Sequence, residues 1–184
     1  MKRIILIHAW GESPESCWYP WLKQQLESKG YKVVVPAMPN TEEPQIDAWV
    51  STLTKFAPDP NEETVFIGHS IGCQAVLRYL EKLPATTKVG GVFFITPWTN
   101  LENLDEESIP VARPWLETPI NWEVAKLHSP SFTAFFSDND PWVPLSEEKV
   151  FQDKLGATSR MFKTAGHFDK QTEFPVLLHE VLHP

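Results

Sequence analysis

Residues 68–72, with the sequence GHSIG, place a serine between two glycines and predict a tight turn from a strand into a helix. Residues 64–67 are β-branched and aromatic, which is typical of a buried strand, and residues 73–80 have a helical pattern. In such a turn the glycines let the backbone pass close to its neighbours while the serine hydroxyl is exposed. The stretch predicts a nucleophile elbow at Ser70, and the alternative is an ordinary turn serine.

Short β-rich runs alternate with helical patterns, which predicts an α/β fold of parallel βαβ units with helices on both faces of the sheet. The predicted strands are residues 3–7, 32–35, 64–67, 89–96, 132–137 and 159–163. The predicted helices are residues 18–28, 46–56, 71–83, 146–155 and 173–182. Strand 89–96 is apolar on both alternating faces and belongs in the middle of the sheet. We expect Ser146 to cap the helix that it begins.

The length of 184 residues and the 42% hydrophobic content fit a single domain over residues 1–184 with a sizeable core. Between residues 97 and 130 the pattern weakens into acidic and proline-rich sequence that contains Trp115 and Trp122. This segment is too long for an ordinary loop. We expect either a functional lid or a small irregular excursion at 97–130.

Composition argues against several kinds of partner. The formal net charge is −8 and no dense run of Lys and Arg occurs, so we expect no nucleic-acid binding. Cys17 and Cys73 are too few for a disulfide framework and lack the paired spacing of a zinc site, which indicates a reducing compartment. No motif implies a metal or an organic cofactor.

The first residues carry a charged start and a short apolar run, as a signal peptide does. His8 interrupts that run and no convincing cleavage site follows, so we interpret residues 3–7 as the first strand. No apolar stretch approaches the roughly 18 residues needed to span a bilayer. These features predict a soluble cytoplasmic protein without a membrane partner.

A serine hydroxyl is a poor nucleophile at neutral pH, so Ser70 needs a general base and a carboxylate that orients the base. Reacting groups of parallel α/β sheets collect at the carboxyl ends of strands. Asp138 and Asp140 follow the fifth predicted strand, and His167 follows the sixth. The chain order Ser, Asp, His is the one that α/β-hydrolases use. The sequence therefore predicts a catalytic triad around Ser70.

Two aspartates compete for the orienting role. Asp140 stands far enough beyond the strand for the following Pro141 loop to turn its carboxylate toward His167, and we favour it. Asp138 is expected to stabilise the turn through a local Asx hydrogen bond.

The remaining histidines are weaker candidates for the base. His8 ends the first strand and His69 lies inside the elbow, so each either lines the site or forms structural hydrogen bonds. Solvated surface positions are expected for His128, His179 and His183.

Acyl transfer passes through an oxyanion, which needs backbone N–H donors. Ile71 supplies one by its position after Ser70, and Trp10 in the loop after the first strand is the candidate for the second, with a plain loop as the alternative. Trp98 and Trp142 also follow strands, so these tryptophans form either an apolar substrate pocket or part of the core.

Short pieces along nearly the whole chain carry a family resemblance. They are Trp18-Tyr19-Pro20-Trp21, Met38-Pro39, residues 68–72 with Arg78-Tyr79, Pro114-Trp115, Trp122-Glu123, Asp140-Pro141 and Gly166-His167-Phe168. In these pieces the chain resembles the small serine hydrolases related to retinoblastoma-binding protein nine. The elbow and the histidine loop are the specific parts of the likeness.

The resemblance implies a three-layer α/β-hydrolase-like fold that lacks the first two strands of the full fold, leaving a six-stranded parallel sheet of order 2-1-3-4-5-6. It also points to Ser70, Asp140 and His167. The loop that contains Trp10 departs from the glycine-rich loop of many lipases and esterases. A Leu-x-Cys-x-Glu motif for retinoblastoma-protein binding is missing, so no protein partner is transferred.

Together these features favour a serine hydrolase that cleaves an ester, thioester or amide bond of a small molecule through an acyl-enzyme. The alternative is a non-catalytic ligand- or protein-binding module on a hydrolase fold. An intact triad argues against that alternative.

Overall fold

The computed structural model describes residues 2–183. Its strands are β1 (Arg3–Ile7), β2 (Lys32–Val34), β3 (Thr64–His69), β4 (Gly91–Ile95), β5 (Phe132–Ser137) and β6 (Thr158–Phe162). Its helices are α1 (Tyr19–Glu27), α2 (Ile46–Phe56), α3 (Ile71–Leu80), α4 (Ser108–Glu117), α5 (Trp122–Leu127), α6 (Ser146–Leu155) and α7 (Pro175–Leu182).

The strands form one parallel sheet of six strands in the order β2-β1-β3-β4-β5-β6, which confirms the expected fold class. Ile7 at the end of β1 is in register with Gly68, and His69 is in register with Ile95 at the end of β4. The carboxyl ends of the strands therefore meet at one edge of the sheet, beside Ser70.

Alternating side chains of the strands serve two cores on opposite faces of the sheet. Ile5 of β1 packs in the cluster that includes apolar residues of helices α2 to α6, and Ile4 packs in the cluster beneath α1 and α7. Every residue of β4 is buried, as predicted for a central strand. The molecule is thus a sheet between two helical layers.

The predicted cap at Ser146 is wrong. Leu145 is the residue that precedes α6, its φ and ψ of −58° and −22° are already helical, and no side chain caps the helix. A capping side chain needs an extended backbone at the residue before the helix, and Ser146 lies within the first turn instead. The next residue, Glu147, accepts a hydrogen bond from the Thr99 backbone N–H, so the helix start is tied to the loop after β4.

The expectation of an irregular excursion at 97–130 is wrong over much of that segment, which contains α4 and α5. The buried Arg78 guanidinium of α3 donates to the carbonyls of Trp115 and Thr118, at the end of α4. The Trp115 indole N–H donates to the Pro44 carbonyl. These long-range contacts order a segment whose composition gives little local indication of helix.

The predicted surface position of His128 is also wrong. Its side chain is buried, and its Nδ1–H donates to the Thr87 carbonyl at 2.9 Å. The reason is tertiary, because the His128 backbone carbonyl accepts from Val89 and joins the end of α5 to the start of the central strand region. His179 and His183 are exposed, as predicted. Over residues 2–183 no helix is both long and apolar enough to cross a membrane.

Candidate active site

Ser70 occupies the sharp turn between β3 and α3. Its φ of 53° and ψ of −118° are strained for a residue with a side chain, and its backbone N–H donates to the Ile95 carbonyl at 2.8 Å. A Cβ on Gly72 would lie 2.4 Å from the Ile7 oxygen, and one on Gly68 would lie 2.7 Å from the Cys73 backbone. The two glycines are required because neighbouring backbone fills the space that a side chain would need.

Asp140 and His167 are joined directly. The Asp140 Oδ2 accepts from His167 Nδ1 at 2.8 Å, and the carboxylate is almost completely buried. Its other oxygen accepts from the backbone N–H groups of Trp142 and Val143, both at 3.0 Å. A neutral imidazole that donates through Nδ1 has its lone pair on Nε2, the tautomer that a general base requires.

Asp138 has a different partner from the one predicted. Its Oδ1 accepts from the Thr164 backbone N–H at 2.9 Å, across 26 residues, so the expected local Asx bond is wrong. The reason is that β5 and β6 are neighbours, and the loops after them face each other. Asn139 adds a second link, because its Oδ1 accepts from the Gly166 N–H. The local turn is instead made by Asp140.

A cleft of about 300 Å³ contains both Ser70 and His167. The Ser70 Oγ accepts from the Trp98 indole N–H at 3.3 Å. Among the hydrogen bonds of residues 2–183, none joins Ser70 Oγ to the His167 ring. Nucleophile-to-base hydrogen bonds are often long without substrate and tighten when it binds. Ser70 and His167 thus line one cleft, and Asp140 is hydrogen-bonded to His167.

The predicted tryptophans all line this cleft. Trp98 is 1% exposed and serves both as core and as a wall beside Ser70, whereas Trp142 is 38% exposed. The Trp142 ring stands edge-on to the His167 ring with centroids 5.0 Å apart. Trp10 is fixed by its indole N–H, which donates to the Glu42 carbonyl. Trp98 is therefore part of the core and also lines the cleft, whereas the more exposed Trp142 lines the cleft beside His167.

The two predicted oxyanion donors have backbone N–H groups without an acceptor among the hydrogen bonds of residues 2–183. Ile71 is the first residue of α3, where an N–H has no intrahelical acceptor. The Trp10 N–H has no protein acceptor in the described part of the chain. The preceding Ala9 N–H is engaged, because it donates to the Tyr19 hydroxyl.

Sequence reasoning missed an acidic rim. Four carboxylate side chains line the cleft, and no Lys or Arg stands among the described lining residues; the four are Glu12, Glu42, Asp105 and Asp169. Glu12 and Asp169 follow β1 and β6, and their place after strands was the available signal. No group of three or more His, Cys, Asp or Glu within residues 2–183 is arranged to hold a metal ion.

Cys73 packs behind Ser70. Its thiol is buried and donates to the Gly68 carbonyl at 3.1 Å. Burial raises the pKa of the Cys73 thiol well above its ordinary value, so the side chain stays a neutral thiol. Packing accounts for this cysteine.

Comparison with known proteins identifies the family. The family model described as Serine hydrolase matches residues 4–178. Serine hydrolase RBBP9 of Rattus norvegicus is 31% identical over 166 residues, covering 89% of this chain and 84% of the rat protein. YdeN of Bacillus subtilis (strain 168) is 27% identical over 180 residues, covering 96% of this chain and 90% of that protein.

Solved structures agree on the fold. The crystal structure of the ydeN gene product has a TM-score of 0.90 at 24% identity and covers 99% of this chain and 97% of its own. A monoacylglycerol lipase of Paleococcus ferrophilus has a TM-score of 0.74 at 14% identity, covering 98% and 92%. The resemblance found in the sequence is confirmed: the chain belongs to the serine hydrolase family and has the α/β-hydrolase fold.

Proposed function

We propose that this serine hydrolase has carboxylesterase-like activity and cleaves an ester, thioester or amide bond of a small substrate through an acyl-enzyme. Ser70 is the nucleophile, His167 the base and Asp140 the group that orients it. The observation that carries the proposal is the 2.8 Å bond from His167 Nδ1 to Asp140 Oδ2 beside the cleft of Ser70.

The chemistry follows the order of proton transfers that this tautomer allows. His167 Nε2 takes the proton of Ser70 as Oγ bonds to the substrate carbonyl carbon. The oxyanion that forms accepts from the N–H groups of Trp10 and Ile71. His167 then gives its proton to the leaving group as the carbonyl re-forms, and water repeats the sequence to release the acid and restore Ser70.

The cleft supports a small substrate with an apolar portion. Its volume of about 300 Å³ is at the lower end of ligand pockets, and Trp98 and Trp142 provide aromatic walls. The name of the lipase neighbour refers to an ester substrate, which adds support for ester cleavage. Cys17 and Cys73 are both free, which suits a cytoplasmic setting.

Turnover of p-nitrophenyl acetate, butyrate and octanoate tests this function. We expect Ser70→Ala and His167→Ala each to lower kcat at least about a thousandfold, because either change removes the proton-transfer pair. His179→Ala is the matched control, since His179 is exposed on α7, and it should retain the parent rate. We also expect kcat/KM to rise from acetate to butyrate as the acyl chain meets the tryptophans.

The parent and His167→Ala could hydrolyse these esters at equal rates. That result would exclude His167 as the base, and equal rates that match the uncatalysed background would favour the non-catalytic binding module. A flat response to acyl length would remove the tryptophans from the substrate pocket without affecting the triad.

A further inference from the structure

Two buried polar side chains beside the cleft have no part in the proton transfers above. Tyr19, the first residue of α1, is fully buried, and so is His69, the residue before Ser70. The Tyr19 hydroxyl lies 3.1 Å from the Ala9 nitrogen and 2.6 Å from His69 Nδ1. His69 Nε2 lies 2.7 Å from the His167 carbonyl oxygen. These contacts form a continuous chain across the interior, which we call the Tyr19–His69 relay.

The direction of the bonds in the relay follows from its two ends and from the charge state of His69. The Ala9 backbone N–H can only donate, and the His167 carbonyl can only accept. The Tyr19 hydroxyl therefore accepts from Ala9, and His69 donates from Nε2 to the His167 carbonyl. Burial lowers the pKa of the His69 imidazole to about 3, so the ring is neutral. Its Nδ1 then has a lone pair that accepts from the Tyr19 hydroxyl.

The ends of the relay lie in the loops that carry Trp10 and His167, and both of these residues line the cleft of Ser70. Ala9 precedes Trp10, whose N–H is the proposed oxyanion donor. His167 is the proposed base, and its backbone carbonyl is the group held by the relay. A single hydrogen-bonded path thus connects the donor loop after β1 to the histidine loop after β6.

The loop that carries His167 has a strained backbone, which the hydrogen bonds of the relay help to stabilise. Phe168 has a φ of 57°, in the left-handed region that residues with a side chain rarely adopt. The Phe168 carbonyl accepts from the Trp18 indole N–H at 3.0 Å, next to the His167 carbonyl held by His69. Strained conformations persist where surrounding contacts over-determine them. Donors from the residue before α1 and from the elbow therefore hold consecutive carbonyls of this loop.

We propose that Tyr19 and His69 are positioning residues, which set the distance between the oxyanion-donor loop and the base while touching no reacting atom. The inference rests on the proposed hydrolase function. A displacement of about 1 Å in a catalytic group is enough to cost about a hundredfold in rate, so loss of the relay lowers kcat more than substrate binding.

Tyr19→Phe tests the relay, with Tyr79→Phe as the matched control. Tyr79 is a second buried tyrosine, and its hydroxyl donates to the Ala57 carbonyl at the end of α2. Each change removes one buried hydroxyl. The active sites of parent and variants are titrated with a fluorophosphonate, so that kcat is expressed per reactive serine and an unfolded fraction does not count.

We expect Tyr19→Phe to lower kcat per titrated site about tenfold or more, with KM within about threefold of the parent. Tyr79→Phe should retain the parent kcat per site even where it lowers the melting temperature. Equal kcat per site in the two variants would overturn the relay and leave the hydrolase proposal intact. A parent that fails to react with the fluorophosphonate would overturn the hydrolase proposal, and the relay with it.

A pair of changes at His69 gives an independent measurement should Tyr19→Phe not fold. In His69→Gln the amide nitrogen takes the place of Nε2 and keeps a donor for the His167 carbonyl. In His69→Asn the amide reaches only as far as Nδ1, and that donor is lost. We expect a higher kcat per titrated site in His69→Gln, whereas equal values, or a higher value in His69→Asn, would overturn the proposal.

Discussion

At the residue scale, Asp140 and Asp138 have carboxylates with different partners. Asp140 uses one oxygen for two backbone N–H groups of its own loop and the other for His167. Asp138 accepts from the Thr164 N–H, and among residues 2–183 no hydrogen bond joins it to the imidazole. Of these two aspartates, Asp140 is the one hydrogen-bonded to the imidazole of His167.

Replacing each aspartate by asparagine separates these roles. Asp140→Asn should lower kcat by a factor on the order of 10³ to 10⁴, because an amide beside Nδ1 favours the wrong imidazole tautomer. Asp138→Asn should retain most of the activity, since its amide oxygen can still accept from Thr164. Turnover of p-nitrophenyl butyrate measures the activity of both variants. Similar losses of kcat in the two would show that the orienting role does not belong to Asp140 alone.

Single residues differ in how far their sequence position reveals their surroundings. Asp140 and His167 could be predicted because each follows a strand of the parallel sheet, at the edge where Ser70 stands. The bond from Trp98 to the Ser70 Oγ could not, because it depends on the direction of one side chain within a loop. The hydrogen bonds of the Tyr19 hydroxyl could not be predicted either, because an aromatic residue at the start of a helix is usually part of the core.

At the scale of elements, α4 and α5 were the part of the fold that the sequence did not predict. Prolines and acidic residues weaken the helical pattern there, and the order comes from partners distant along the chain. Arg78 of α3 supplies a buried guanidinium that donates to the carbonyls of Trp115, Thr118 and Pro119. One side wall of the cleft, including Asp105 and Ser108, lies just before or at the start of α4.

Arg78→Met should loosen this segment without unfolding the sheet. Hydrogen bonds from a charged donor contribute about 1.5–3 kcal/mol each, so backbone amides near the end of α4 should exchange at least about tenfold faster. Arg113→Met, a change at an exposed position of α4, is the control and should leave exchange unchanged. Hydrogen exchange with mass analysis of peptides measures the exchange rates of these amides. Unchanged protection in Arg78→Met would mean that other contacts order the segment.

At the scale of the whole molecule, strand and helix alternation predicts a parallel α/β sheet but leaves the order of the strands open. That order came from the family resemblance, because several orders satisfy the same alternation of patterns. The structure has it as β2-β1-β3-β4-β5-β6, which brings the ends of β3, β5 and β6 to one edge. The hydrogen-bond partners of His8 and His69 could not be predicted from the sequence either. These side chains become buried and neutral only when the sheet and α1 assemble.

Those buried histidines link stability to pH. Burial lowers the pKa of His69 from 6.5 to about 3 and also lowers that of His8, and the nearby His167 and His8 disfavour charge on His69 further. Between pH 6.5 and about 3 the unfolded chain therefore binds a proton at residue 69 that the folded protein does not. The free energy of unfolding should fall as pH falls through this window.

His69→Gln removes this contribution. Urea unfolding between pH 6.5 and 4.5 should give a slope against pH that is shallower than the parent's by up to about 1.4 kcal/mol per pH unit. His179→Gln, at an exposed position, should keep the parent slope. Identical slopes in His69→Gln and the parent would show that residue 69 is not neutral in the folded protein.

The central claim is that Ser70 is an activated nucleophile, and intact-mass spectrometry after incubation with a fluorophosphonate at neutral pH tests it most directly. We expect one adduct per chain on the parent, located on the peptide that contains Ser70, and none on Ser70→Ala. His167→Ala should react far more slowly because no base takes the hydroxyl proton. A parent that remains unlabelled, or an adduct that persists in Ser70→Ala, would contradict the account.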